Sequence, residues 1–200
     1  MHSSRFRSFS RGLLVAGGML SLFAPIGAHA QARERLSQQG QDRRLQFYNT
    51  HTGERINIVY RRGDQYIASS LAKLDYFLRD HVTGEVRHFD PRVLDIVSDL
   101  TESVGHSGSE IDVVCGYRTP STNQSLRTRT GGVAKNSLHM QAEAIDLRIP
   151  GVNTLTLREA ALALGRGGVG YYPHSDFIHI DAGRVRQWCF ECSAVGNSGD

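Results

Sequence analysis

His139 and Asp146 stand seven positions apart in SLHMQAEAIDLRIPG (137–151), and His179 follows in SDFIHIDAG (175–183). Two imidazoles and a carboxylate can close on one metal ion, and three nitrogen or oxygen donors leave one coordination position open. Zinc held in that way, with water in the fourth position, is the arrangement of catalytic sites, whereas structural zinc is closed by four ligands, often thiolates. The trio therefore points to a hydrolase rather than to a metal-stabilised fold. Spacing alone is a weak warrant, because the chain has nine His and a His-x6-Asp pair arises readily by chance. The bland alternative is a set of histidines satisfied in the core or at the surface.

The surrounding pattern narrows the choice. Ser137, His139, Ala144 and Asp146 fit S-x-H-x-x-G-x-A-x-D, GYRTP occupies 116–120, and His179 has an acid on either side in DFIHID. Together these resemble the zinc peptidases that cleave D-amino-acid-containing peptides of bacterial cell walls, and within them the exported YcbK-like murein endopeptidases of the zinc D-Ala-D-Ala peptidase superfamily. The resemblance runs from about residue 45 to residue 188. It implies Zn2+ on His139, Asp146 and His179, with peptidoglycan as the partner. It also implies Arg118, at the end of a strand, as the donor to the substrate carbonyl, and Ser137 is taken as a further substrate-binding residue. The family pattern has Gly where this chain has Ala142, so a positive φ there would be strained.

A zinc peptidase also needs a base that takes a proton from water. Many relatives place an acid three residues before the last His, which matches Asp176. Strand alternation instead puts Phe177, His179 and Asp181 on one face, while Pro173 and Ser175 suggest a turn that frees Asp176 from the alternation. Asp176 is taken as the base, with Asp181 as the alternative base or as the group orienting His179.

These residues need a scaffold outside the cytoplasm. Residues 1–30 carry Arg5, Arg7 and Arg11 and no acid, then the apolar run 13–27 and Ala28-His29-Ala30. That is a secretory signal peptide of the Sec type, since Phe6 separates the first two arginines and no twin-arginine motif forms. Export, a periplasmic location and no stable membrane anchor after cleavage follow as expectations. The chain has 23 basic and 20 acidic residues; without the three signal arginines the two signs balance at 20 each. A neutral mature protein lacks the field that would hold nucleic acid.

Residues 31–44 are polar and read as a flexible leader, 45–192 as the peptidase-like domain, and 193–200 as a disordered tail. Alternating apolar residues in 45–67, broken at Thr52-Gly53 and Arg62-Gly63-Asp64, predict a hairpin or small meander. Leu71, Leu74, Phe77 and Leu78 predict a helix over 70–81. Asp90-Pro91 caps a second helix with Val93, Ile96, Val97 and Leu100 on its inner face. Residues 110–117 read as a buried strand that delivers Arg118, 119–136 as a short helix and loop, and 142–149 as a strand. A further helix from 155 ends in a glycine cluster at 165–170 read as cap and turn, and VGYYP and FIHID follow as short strands. The fold class is α+β: an antiparallel sheet carrying the zinc site, with helices packed on the other face.

Cys189 and Cys192 form a C-x-x-C without the strand–helix context of a redox motif, so a local disulfide is expected, leaving Cys115 over. His51, His81, His88, His106 and His174 sit among polar residues and read as solvated, with His174 near enough in sequence to support a ligand. Two functions remain open: a zinc peptidase acting on peptidoglycan stems or cross-links, or a non-catalytic peptidoglycan-binding module of the same fold.

Overall fold

The computed structural model describes residues 42–130, 133–190 and 192. The segments expected to be signal peptide (1–30), most of the leader (31–44) and tail (193–200) lie outside the described residues. Strand β1 (Asp42–Asn49) pairs antiparallel with β2 (Arg55–Arg62). Between them the Asn49 carboxamide oxygen accepts from the amides of His51 and Thr52, and Gly53 takes φ 73°, a tight turn only a small or flexible residue makes cheaply. Strand β3 (Gln65–Tyr66) completes the meander after the Gly63 turn. β1 starts three residues inside the segment read as leader, because Arg43 finds Asp99 at 2.5 Å and Arg44 finds Asn57 at 2.7 Å. Charged side chains with partners extend a strand that hydropathy alone would end at Leu45.

Helix α1 (Ala68–Phe77) buries Leu71, Leu74 and Phe77 and stops four residues short of the expected end. Asp80 is responsible. Its fully buried carboxylate accepts from the amides of Val82 and Thr83, and from that of Thr119 across the fold, a set of bonds that competes with helical geometry. Helix α2 (Pro91–Ser103) begins as expected, with the Asp90 carboxylate accepting from Arg92 N, and buries Val93, Ile96, Val97 and Leu100. The α1–α2 crossover returns the chain to β4 (Glu110–Cys115), which lies parallel to β1. Long crossovers permit parallel pairing where a hairpin cannot.

Beyond β4 come helix α3 (Pro120–Thr130), a 3-10 turn (Leu138–Gln141), β5 (Ala144–Arg148), helix α4 (Thr154–Leu164), β6 (Gly168–Tyr172), β7 (Phe177–Asp181) and β8 (Arg186–Cys189). All eight strands form one sheet in the order β3-β2-β1-β4-β5-β7-β6-β8. β4–β5, β5–β7 and β6–β7 are antiparallel, while β6–β8 is parallel like β1–β4. The fold is thus α+β, but the sheet is mixed rather than antiparallel. The glycine cluster is also more than a turn. Gly165 caps α4 in the left-handed region, but Gly168 and Gly170 belong to β6, where a Cβ on Gly170 would lie 2.6 Å from the Trp188 ring on β8.

Period-two alternation divides the sheet. Ile145 and Leu147 on β5 and Ile178 and Ile180 on β7 are buried on one side, where α2 and α4 pack against β7 and α4 against β6. Each such side chain contributes roughly 1.5–3 kcal/mol when fully buried. Asp146 and His179 take the intervening positions and face the other way. The helices are not all on the apolar side, however: Leu126, Arg129 and Thr130 of α3 line the cleft over Asp146 and His179. Only Thr122 and Asn123 of α3 are buried, so this helix lacks the apolar stripe that would seat it in the core. Among the described residues, no helix is long and apolar enough to cross a membrane.

Candidate metal centre

Three elements bring the predicted ligands together. The Ser137 side chain caps the 3-10 turn that carries His139, and Asp146 and His179 are direct cross-strand partners on β5 and β7. His139 Nε2 lies 3.0 Å from Asp146 Oδ1 and 3.0 Å from His179 Nδ1, and the latter two atoms are 2.8 Å apart. The remaining ring nitrogens set the tautomers. His139 Nδ1 is 2.7 Å from the Gly116 carbonyl, which can only accept, so that nitrogen carries hydrogen and Nε2 presents a lone pair. His179 Nε2 lies 3.0 Å from Asp181 Oδ2, so it carries hydrogen and turns Nδ1 inward. Two lone pairs and a carboxylate oxygen therefore converge on one point, an arrangement that a proton or a cation must occupy. Ligand bonds of about 2.0–2.1 Å to zinc fit a donor set with this spacing and composition.

The electrostatics agree. Burial pushes His139 down to about 4, leaving it neutral and able to donate its lone pair. Burial alone would raise Asp146, but the two imidazoles hold it well below the usual carboxylate range. His179 is shifted upward: burial opposes its charge, and the hydrogen bonds to Asp146 and Asp181 outweigh that opposition.

Asp181 is fully buried. Besides His179 it accepts from the amides of Gly168 and Gly183 at 3.0 and 2.9 Å, and from both Arg186 Nη atoms at 3.0 and 2.6 Å. Burial alone would raise it, yet these bonds hold it well below the ordinary range. Every oxygen is engaged, so its place is behind His179, as the group that orients the ring.

Asp176 lies elsewhere. It adopts φ 53° in the β6–β7 turn, is exposed, and accepts from the Thr154 hydroxyl at the start of α4. Its neighbours Ser175 and Phe177 line the cleft, and Asp176 is not among the lining residues. The base role expected of Asp176 is carried forward to the test of its Asn variant. Ala142, the other non-glycine residue at positive φ, sits at 57° just after the His139 turn: the strained conformation expected from the missing glycine is present.

Arg118 follows β4 and is 8% exposed. Its Nη2 donates to Ser137 Oγ at 3.2 Å, while its buried Nε has no hydrogen-bond partner. Both residues line a cavity of 640 Å³ together with Asp146 and His179. Tyr172, Phe177, Trp188 and Phe190 supply an aromatic wall, Tyr172 stacking on Phe177 at 4.4 Å. Cys189 and Cys192 are joined as a disulfide beside Phe190. His51 and His81, read as solvated, stack at 3.9 Å with rings 1° from parallel and line the same cavity.

Three participants escaped the sequence. Gly116 acts through its carbonyl, invisible to any side-chain pattern. Arg186 reaches Asp181 only because the chain turns back after β7. Cys115, read as a leftover thiol, has its Sγ within 4.8 Å of donor atoms of His139 and Asp146, the three together forming a possible metal-holding group. The nitrogen and oxygen trio is the tighter assembly, at 2.8–3.0 Å. Burial pushes that thiol up to about 12.

Comparison with known proteins accords with this geometry. The chain is 43% identical over 144 residues to the probable peptidoglycan L,D-endopeptidase MepK of Haemophilus influenzae, covering 72% of this chain and 77% of that protein. It is 39% identical over 184 residues to the peptidoglycan L,D-endopeptidase MepK of Escherichia coli K12, covering 92% and 99%, and the Shigella flexneri protein of that name matches to the same extent. No solved structure matches the chain significantly. Residues 37–188 match the Peptidase_M15_2 family, described as Peptidoglycan L,D-endopeptidase MepK, and with relatives of this identity and coverage the chain belongs to that family of murein endopeptidases.

Proposed function

We propose that this protein is an exported zinc peptidase that hydrolyses an L,D peptide bond in peptidoglycan stems or cross-links and acts in the periplasm. The observation that carries the reading is the convergence of His139 Nε2, Asp146 Oδ1 and His179 Nδ1 at the floor of a cleft. The bond type is taken from the names of the relatives.

His139, Asp146 and His179 would hold the metal. When bound, zinc supplies a Lewis acid that polarises a carbonyl and makes water acidic near neutral pH. The chain's own residues do the rest. Gly116 O and Asp181 fix the two imidazoles so that they present lone pairs without rearrangement. Arg118 places a permanent cation in the cavity, with Nε unpaired and Nη2 steadied by Ser137. A guanidinium held in that way donates to a peptide oxygen as it gains negative charge, and in a site shielded from water such a donor is worth more than at a surface. The cavity is in the range of ligand sites, and its aromatic wall offers apolar surface for a peptide to lie against.

The test is digestion of purified sacculi by the mature protein, followed by mass spectrometry of the muropeptides. The expected result is loss of L,D-linked muropeptides with appearance of their hydrolysis products, abolished by chelation and restored by zinc. Binding to sacculi without any product from the zinc-loaded protein would make it a wall-binding module and end the peptidase reading.

A further inference from the structure

Antiparallel pairing of β4 with β5 sets Val113 opposite Leu147, so Val114 would ordinarily oppose Asp146. The register slips instead, and Cys115 is the partner of Asp146. A bulge of this kind re-aims the side chains that follow it. Here it delivers the thiol to the face that carries the ligands: Cys115 lines the cavity with Asp146 and His179, and its Sγ stands within 4.8 Å of donor atoms of both His139 and Asp146. Its one hydrogen bond is a long contact of 3.6 Å to the neighbouring Gly116 carbonyl, which leaves the side chain little to lose by turning.

We propose that Cys115 is a fourth protein donor to the metal, so that the resting centre is closed by one sulfur, two nitrogens and one oxygen and is opened when substrate displaces the sulfur. The inference rests on His139, Asp146 and His179 holding the ion. The thiol proton passes to solvent as sulfur binds, as for any thiolate ligand. Sγ would approach by rotation about the Cys115 side chain, toward a zinc–sulfur bond of about 2.3 Å. Soft sulfur in the donor set also favours zinc over hard divalent ions that prefer all-oxygen shells.

Cobalt(II) substitution of the mature, disulfide-intact protein tests this without reference to activity. The wild-type protein should take up one cobalt and show a thiolate-to-cobalt charge-transfer band in the near ultraviolet. Cys115→Ser and Cys115→Ala should each keep the fold by circular dichroism, lose the band, and bind the metal more weakly by at least the roughly 10–100-fold that loss of an outer partner produces. A wild-type protein that binds one cobalt without the band, or a band that persists in both variants, overturns the sulfur ligand and leaves the three-donor site standing. A wild-type protein that binds no cobalt and no zinc overturns the sulfur ligand and the metal centre together.

Discussion

Asp181 Oδ2 lies 3.0 Å from His179 Nε2, and this one bond decides which nitrogen of His179 faces His139 and Asp146. Asp181 is itself clamped by Arg186 and two backbone amides, so the orientation of the ring is fixed from behind. Asp181→Asn should weaken metal binding by roughly 10–100-fold, measured by competition with a chromophoric chelator. An unchanged affinity would show that packing against Trp188, whose ring lies 5.0 Å from His179, is enough to hold the imidazole.

Arg118 offers a different signature. If its guanidinium donates to the oxygen that becomes anionic, Arg118→Ala should lower turnover by about 10²–10³-fold while metal content stays at the wild-type level. Loss of bound metal or of the folded state in that variant would make Arg118 a structural cation bonded to Ser137 instead.

Asp176 should be dispensable. Its carboxylate faces Thr154 and its backbone has φ 53°, a conformation that Asn tolerates as well as Asp. Asp176→Asn is expected to keep both metal content and turnover on sacculi. A loss of turnover by orders of magnitude at full metal occupancy would return the base role to this residue.

Ala142 carries strain beside the turn that holds His139. A left-handed alanine costs about 1–2 kcal/mol, against about 0.8 kcal/mol for the buried methyl that glycine would give up. Ala142→Gly should therefore be neutral to stabilising by up to about 1 kcal/mol in urea unfolding, taking the difference between those two estimates. Ala142→Val should be clearly destabilised, because a β-branched residue is least tolerated at positive φ.

The metal-free protein should have a skewed stability profile. His139 is held at about 4 against an ordinary 6.5 by burial, so between those values the unfolded chain binds more protons and stability falls as pH drops. Asp146 and Asp181 lie below their ordinary 3.8; their contribution is present above that value and is lost as pH falls through the folded values. The raised His179 runs the other way, contributing fully below 6.5 and losing its effect as pH rises through the folded value. Tm should thus decline on acidification from 6.5 to 4, and His139→Asn should flatten that limb. An equal slope in the variant would assign the acid loss to other groups.

Much of the scaffold follows from local chemistry. Asp90-Pro91 starts a helix because a carboxylate at the cap and a fixed φ both favour that turn, and Gly53 and Gly63 close hairpins because positive φ suits glycine. Alternation in AIDLR and FIHID separates Asp146 and His179 from the isoleucines and Leu147, so the strand pattern, together with the motif around His139, nominates the candidate ligands. Alternation names a face but not a neighbour. Parallel pairing of β1 with β4, the return of β8 along β6, and the slip that puts Cys115 rather than Val114 beside Asp146 are all contacts between distant segments. Their energies come from packing and hydrogen bonds that no local window contains. The same holds for direction: alternation in SDFIHID puts Asp181 on the face of His179, but only the left-handed turn at Asp176, with its bond to Thr154, and the Arg186 clamp on Asp181 decide which group each carboxylate meets.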